Sequence, residues 1–237
     1  MRPAHRALRD APDDRTPPVD RQTTLLVLGG TGQTGRHLIR LALEQGFRVR
    51  ALARTPAKLT ATHPDLEVIR GSITEELDLD ALVAGADHVI SMLGDATAQR
   101  TRPVNTEFVR RLVPAMRRNG VDRFLYQAGG LSAAPDRPLT APLRLIRATI
   151  ARGFEGQHRD NEAVMRYLVD EAGDVGWMVH RAGIGGDGPS KGVLRRSSTA
   201  FSIGTFADCA AYDLRLVMDP AAVHTSDFSS YRAGAAP

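Results

Sequence analysis

Two periods of apolar residues alternate along this chain. Leu25-Leu-Val-Leu28 is an unbroken apolar run, and Leu38, Ile39, Leu41, Ala42 and Leu43 recur soon after it at helical spacing. Gly29, Gly32 and Gly35 stand between them, so the stretch predicts a strand, a tight glycine turn and a helix that Gly46 closes. Phe47–Ala53 alternates like a second strand, which ends at Arg54. Further strands are predicted at Leu66–Ile69, Asp87–Ser91 and Arg123–Gln127. Helical patterns separate them, from about Glu75 to Ala84 and from Pro103 to Asn119, the second stopped by Gly120. Strands and helices that alternate at this spacing form βαβ units, which build a parallel sheet covered on both faces.

The pattern loosens after Leu131. A loop with Pro135, Pro138 and Pro142 leads to a short helix over Leu143–Ala151 and a second helix over His158–Glu171. Val175–His180 predicts a sixth strand, Gly183–Gly188 a flexible loop, and Asp208–Met218 a late helix before a weak seventh strand. The expected architecture is α/β, a doubly wound parallel sheet of six or seven strands. Residues 22–237 form one domain in this reading, with a small substrate-covering region built from the second half. Segments 131–142 and 183–192 are long enough to serve as lids.

Composition narrows this picture at a few points. Residues 1–21 mix Pro, Asp and Arg with little apolar content, which predicts a disordered N-terminal arm. No stretch reaches the roughly 18 apolar residues of a membrane span, and no secretory signal is visible. With Cys209 as the single cysteine, a cytoplasmic location is expected. The formal charge is +4, and Lys58 and Lys191 are the only lysines among many arginines. Arg110-Arg111 and Arg117-Arg118 fall on the polar side of one helix, which reads as a solvated face, so no nucleic-acid partner is expected. The histidines and the cysteine lack metal-ligand spacing, and no metal is expected.

The glycine turn carries the first candidate chemistry. Such a turn lets a pyrophosphate approach the backbone, where the free N–H groups of the following helix face its charge. Gly29 allows the sharp exit from the strand, Gly32 the close approach and Gly35 tight packing, while Thr31, Gln33 and Thr34 add hydrogen bonds. In an open parallel sheet, ligands sit beyond the carboxyl ends of the strands. That rule adds Ser72 and Ile73, Met92, Leu93 and Gly94, and Ala128 and Gly129. Arg54, with Lys58 nearby and no acid between them, suits the 2′-phosphate of NADP(H) and favours it over NAD(H).

Gly29-Gly-Thr-Gly-Gln-Thr-Gly35, Ala51-Leu-Ala-Arg54, Ser91-Met-Leu-Gly94 and Gly120-Val-Asp-Arg-Phe124 occur in that order. On these landmarks the chain resembles atypical short-chain dehydrogenase/reductases of the NAD(P)H-binding, NmrA-like group, especially the flavin reductase and biliverdin-IXβ reductase branch, over about residues 23–231. The resemblance implies a Rossmann-like fold, bound NADP(H), and hydride transfer to a small planar acceptor such as a flavin, quinone or carbonyl compound. Three departures bear on catalysis. Asp187 and Arg54 stand four residues before the two lysines, so no Tyr-x-x-x-Lys pair exists. Ala128-Gly129 replaces the Thr-Ser pair of that branch, and Ser72 stands where relatives carry Asp.

Ser132 and His158 are the weak candidates for catalysis; Ser132 reads equally well as a loop serine, and His158 reads first as a capping or surface histidine. Asn161 and Asp187 are possible substrate contacts, Arg181 is a further polar residue near the presumed cleft, and His180 reads as a core histidine. Two functions stay open. One is an NADPH-dependent reductase; the other is an NADP(H)-holding redox sensor without turnover, which an exposed apolar patch on the second-half helices would favour. A nucleotide-sugar or isoflavone-type enzyme is disfavoured, because only about 100 residues follow the fifth strand.

Overall fold

The computed structural model describes residues 23–231, so the arm expected over residues 1–21 lies outside the described residues. The first half runs β1 (Thr24–Leu28), α1 (Gln33–Glu44), β2 (Arg48–Ala53), β3 (Leu66–Arg70), α2 (Leu79–Val83), β4 (His88–Ser91), α3 (Val104–Arg118) and β5 (Arg123–Gly129). The second half runs α4 (Ala141–Ala148), α5 (Glu155–Glu171), β6 (Gly176–Gly186), β7 (Arg195–Ser197), β8 (Ile203–Thr205), α6 (Phe206–Met218) and β9 (Thr225–Ser230).

One sheet holds all the strands in the order β3-β2-β1-β4-β5-β6-β9-β7, with β8 paired to β6 beyond the path. Every pairing is parallel except β7 on β9. Chain order reverses between β1 and β4, which makes their carboxyl ends the switch point of a doubly wound sheet. Alternate side chains build two cores. Leu25 and Val27 face α1 and α6, while Leu26 and Leu28 face α2, α3 and α5.

The sheet gains β7 and β8 over the expected six or seven strands. Each has three residues, too short for an alternation signal. β6 continues through the expected Gly183–Gly188 loop as far as Gly186, because Gly183 and Ile184 pair with Ile203 and Gly204 of β8. A side chain at Gly183 would come within 2.5 Å of the Ser202 carbonyl, so a bare backbone is needed there. The remaining lid candidate in this region is held at Asp187, which meets Arg36 at 2.5 Å and His37 at 3.1 Å on α1. This contact ties the loop to the scaffold.

Helix boundaries shift for local reasons. α2 starts at Leu79 rather than Glu75, since Asp78 caps it by accepting the Ala81 N–H at 2.9 Å. α5 starts at Glu155, three residues before His158, and α4 covers Ala141–Ala148 rather than Leu143–Ala151.

The arginine pairs on α3 are occupied within the fold. Arg110 reaches Glu171 at 2.8 Å, Arg117 reaches Asp174 at 2.6 Å, Arg118 reaches Asp80 at 2.7 Å, and Arg111 donates to the Ile73 carbonyl at 2.8 Å. α4 buries no residue, and Leu145, Ile150 and Phe154 are 66%, 86% and 50% exposed in and just after it. Among the described residues no helix is long and apolar enough to cross a membrane.

Candidate functional site

Gly29 leaves β1 at φ +87°, a conformation that favours glycine. A side chain there would also strike the Met92 carbonyl at 2.7 Å, so β1 and the loop after β4 meet backbone to backbone. A Cβ on Gly35 would lie 2.3 Å from the Gly29 carbonyl, which is why α1 can start tight against the turn. Gly32 takes the N-cap position in extended backbone, with no capping side chain and no acid in the first helical turn. The helix therefore turns uncapped N–H groups outward beside the switch point.

Two adjoining cavities open there, sharing Gly32 and Met92–Gly94. The first, about 290 Å³, runs past Gly29 and Thr31 to Arg54 and Lys58 on one side and Gly71–Thr74 on the other. The second, about 340 Å³, continues between Gln33–Gly35, Gln127–Gly129 and the α5 residues Gln157 and Asn161, with Ile184 and Phe206 also on its border. Every residue expected from sequence to contact a dinucleotide borders one cavity or the other.

Several wall residues went unnoticed in the sequence. Asp95, after β4, meets Arg54 at 3.3 Å, and the Ala98 backbone N–H together with Arg54 holds its carboxyl below the usual carboxylate range. Arg54 thus faces an ionised acid that adjacency in the chain does not reveal. The Ser72 hydroxyl lies 2.9 Å from that of Thr74, so it is already engaged at the far wall. Gln127, Gln157 and Phe206 are also new; none stands in a recognisable motif.

Behind the second cavity runs a buried polar network. Tyr126 accepts from Asn105 Nδ2 at 2.9 Å and donates to Asn161 Oδ1 at 2.7 Å, and Asn161 Nδ2 donates to the Ser132 hydroxyl at 3.2 Å. Asp160, one residue before Asn161, caps α3 from α5 by accepting the Asn105 and Thr106 N–H groups, both at 3.0 Å. This clamp explains the placement of Asn161: α5 is fastened to α3 one residue away. Asn161 thereby borders the cavity as a held amide.

Ser132 and His158 come together, with Oγ 3.4 Å from Nδ1, although neither borders the cavities. Both lie behind Gly129, where an added Cβ would sit 3.9 Å from the hydroxyl and 4.0 Å from the imidazole. The reading of His158 as a surface or capping group gives way to a buried one, because the early start of α5 turns it inward. Burial, and secondly Arg147, push its pKa down, so the imidazole is neutral at neutral pH. Its Nε2 has no hydrogen-bond partner among the described residues. Arg181 is buried against the Phe228 ring and donates Nε to the Ser132 carbonyl at 3.0 Å, with its pKa pushed down to about 10 by burial. It remains charged and away from both cavities. His180 is a core histidine, fully buried between Asp213 and Ser229.

A family model described as NAD(P)H-binding matches residues 29–205, from the glycine turn through β8. The chain belongs to the NAD(P)H-binding family. The cradle fits the dinucleotide that this family implies: three glycines keep backbone open where a Cβ would intrude, and uncapped helix N–H groups face the gap.

Among curated proteins, a 3-beta-hydroxysteroid dehydrogenase from Mycolicibacterium neoaurum is 39% identical over 115 residues, 44% of this chain and 31% of the relative. The match therefore spans about a third of that relative's length. An isoflavone reductase homolog from Zea mays is 29% identical over 211 residues, 82% of this chain and 66% of the relative. Among solved structures, an anaerobillin reductase from Escherichia coli O157:H7 superposes with a TM-score of 0.67 at 19% identity, covering 87% of this chain and 96% of that one. That likeness establishes the fold alone.

Proposed function

We propose that this chain is an NADPH-dependent reductase that delivers a hydride to a small planar acceptor such as a flavin, a quinone or a related carbonyl compound. The observation that carries the reading is the chemistry of the second cavity. Its walls offer amides, a threonine hydroxyl, backbone and apolar groups, and no titratable side chain. An enzyme built to protonate an alkoxide needs a positioned acid. A flavin or quinone needs mainly proximity and orientation, and takes its proton from water.

In this reading the α1 N–H groups hold the pyrophosphate, and Arg54 and Lys58 hold the 2′-phosphate. Bound NADPH supplies the hydride. Ala128 and Gly129 keep the floor low, Asn161 and Gln157 form one wall against which a flat acceptor lies, and Ile184 and Phe206 exclude water from the other. Ser132 and His158 support Asn161 from behind. The dehydrogenase and reductase names of the curated relatives agree with this class of reaction.

Fluorescence titration with NADPH and NADH, followed by addition of a flavin or quinone, tests the proposal. Tighter binding of NADPH and its oxidation on adding acceptor are the expected results. Absence of binding to either nucleotide would overturn it.

One observation favours a second reading. Leu145, Ile150 and Phe154, in and after α4 and before α5, are exposed apolar side chains, as expected of a redox sensor that presents its cofactor state to another protein. Tight NADPH binding without oxidation across a panel of flavins, quinones and carbonyl compounds would select that reading.

A further inference from the structure

Gln127 is held in one orientation by a chain of buried groups on the far side of the sheet from α5. Leu125 belongs to the core under α1 and α6, and Gln127, two residues on, points the same way. Its Nε2 donates to Asp213 Oδ2 on α6 at 2.5 Å. The other oxygen of Asp213 lies 2.6 Å from His180 Nδ1, and His180 Nε2 lies 2.8 Å from the Ser229 hydroxyl. Asp213, His180 and Ser229 are all but inaccessible to solvent, and the edge of the Tyr212 ring packs on the imidazole.

The row has the connectivity of a hydrolytic triad but is closed to substrate, so nucleophilic chemistry is ruled out by access. What it does control is an amide. A buried carboxylate oxygen accepts, hence Gln127 must present its NH2 to Asp213 and turn its carbonyl the other way. That carbonyl has no hydrogen-bond donor among the described residues, and it is not one of the buried orphan atoms. Gln127 itself borders the second cavity, opposite the start of α1.

We infer that Gln127 Oε1 accepts a hydrogen bond from the nicotinamide half of the bound dinucleotide, through a ribose hydroxyl or the carboxamide NH2, and that Asp213 and His180 are its positioning residues. The inference rests on the NAD(P)H reading and deepens it. Phosphate oxygens accept only and are served by the α1 N–H groups; the donors of the nicotinamide half are its ribose hydroxyls and carboxamide NH2, and Gln127 borders the second cavity and not the one that reaches Arg54 and Ser72. Burial pushes the Asp213 carboxyl above its ordinary value, against the smaller downward pull of His180 and then Gln127. The Gln127 Nε2 contact with Asp213 Oδ2 and the His180 Nδ1 contact with Asp213 Oδ1 fix the amide whichever way the pair shares its charge.

The test compares NADPH with 2′,5′-ADP, a probe that lacks the nicotinamide half, by calorimetry on the full chain. Gln127→Met should weaken NADPH about tenfold and leave 2′,5′-ADP within about twofold. Asp213→Asn, whose amide oxygen can still accept from Gln127, should keep near-normal NADPH affinity, whereas Asp213→Leu should reproduce the Gln127→Met loss. Thermal melts of each variant separate folding from binding. Unchanged NADPH affinity in Gln127→Met, or equal loss of both ligands in a folded variant, would overturn the inference. Failure of the unsubstituted chain to bind either probe would instead overturn the NAD(P)H-dependent function on which it rests.

Discussion

Arg54 Nη1 lies 3.3 Å from Asp95 Oδ2, across the cavity that the glycine turn opens. The arginine side chain is 70% exposed, so this pair is weak and a phosphate can displace it. Asp95 therefore tunes how available Arg54 is to a ligand. Arg54→Ala should weaken NADPH about tenfold and NADH little, while Asp95→Asn should tighten NADPH by about threefold. Paired fluorescence titrations with both nucleotides check this; equal effects on NADH would deny Arg54 any role in choosing the phosphate.

Gly32 and Gly35 should fail in different ways when each is replaced by alanine. At Gly35 a Cβ meets the Gly29 carbonyl at 2.3 Å, so backbone must move, at a cost of about 1–3 kcal/mol in urea unfolding. At Gly32 the nearest atom is the Gly29 carbonyl oxygen at 3.1 Å and φ is −75°, so alanine asks for a shift of only a few tenths of an ångström and costs less stability than at Gly35. The methyl group then stands where the pyrophosphate approaches, and NADPH affinity should fall more than about tenfold, with a smaller drop in melting temperature than Gly35→Ala shows. Binding that survives Gly32→Ala would place the phosphates elsewhere.

Asn161 carries both a wall position and two buried hydrogen bonds. Asn161→Leu leaves Tyr126 without its acceptor, which costs about 1–3 kcal/mol of stability. Turnover of a flavin or quinone should fall further than that loss explains, with NADPH affinity within about twofold. A variant that is destabilised yet turns over normally would confine Asn161 to a structural role.

His158 makes stability depend on pH. Its folded pKa is depressed by burial and by Arg147, so the unfolded chain binds more protons as pH falls. The contribution is complete above the ordinary histidine pKa of about 6.5 and is lost as pH falls through the lower folded value. His88, half-buried and near Arg123, acts with the same sign. The urea midpoint should drop between pH 7.5 and pH 5, and His158→Gln should show a shallower drop. An identical pH profile in the variant would mean that His158 is not held neutral by the fold.

The local signals in the sequence determined the glycine turn, the first five strands and most of the residues at their carboxyl ends that line the cleft. A positive φ at Gly29 and a backbone contact at Gly35 are constraints that chain neighbours impose on one another, so they leave a mark at fixed spacing. Parallel strands then bring their carboxyl ends to one edge, which explains why Arg54, Ser72, Met92 and Ala128 could be grouped from pattern alone. Only the tertiary structure decided which partners meet there. Asp95 beside Arg54, Asp160 on the end of α3 and Asp213 beneath Gln127 are 41, 55 and 86 residues from their partners, at distances that strand order and helix packing set. The burial of His158 and the strands β7 and β8 belong to the same class. Each depends on what packs against a segment, and a segment's own residues carry no periodic trace of that.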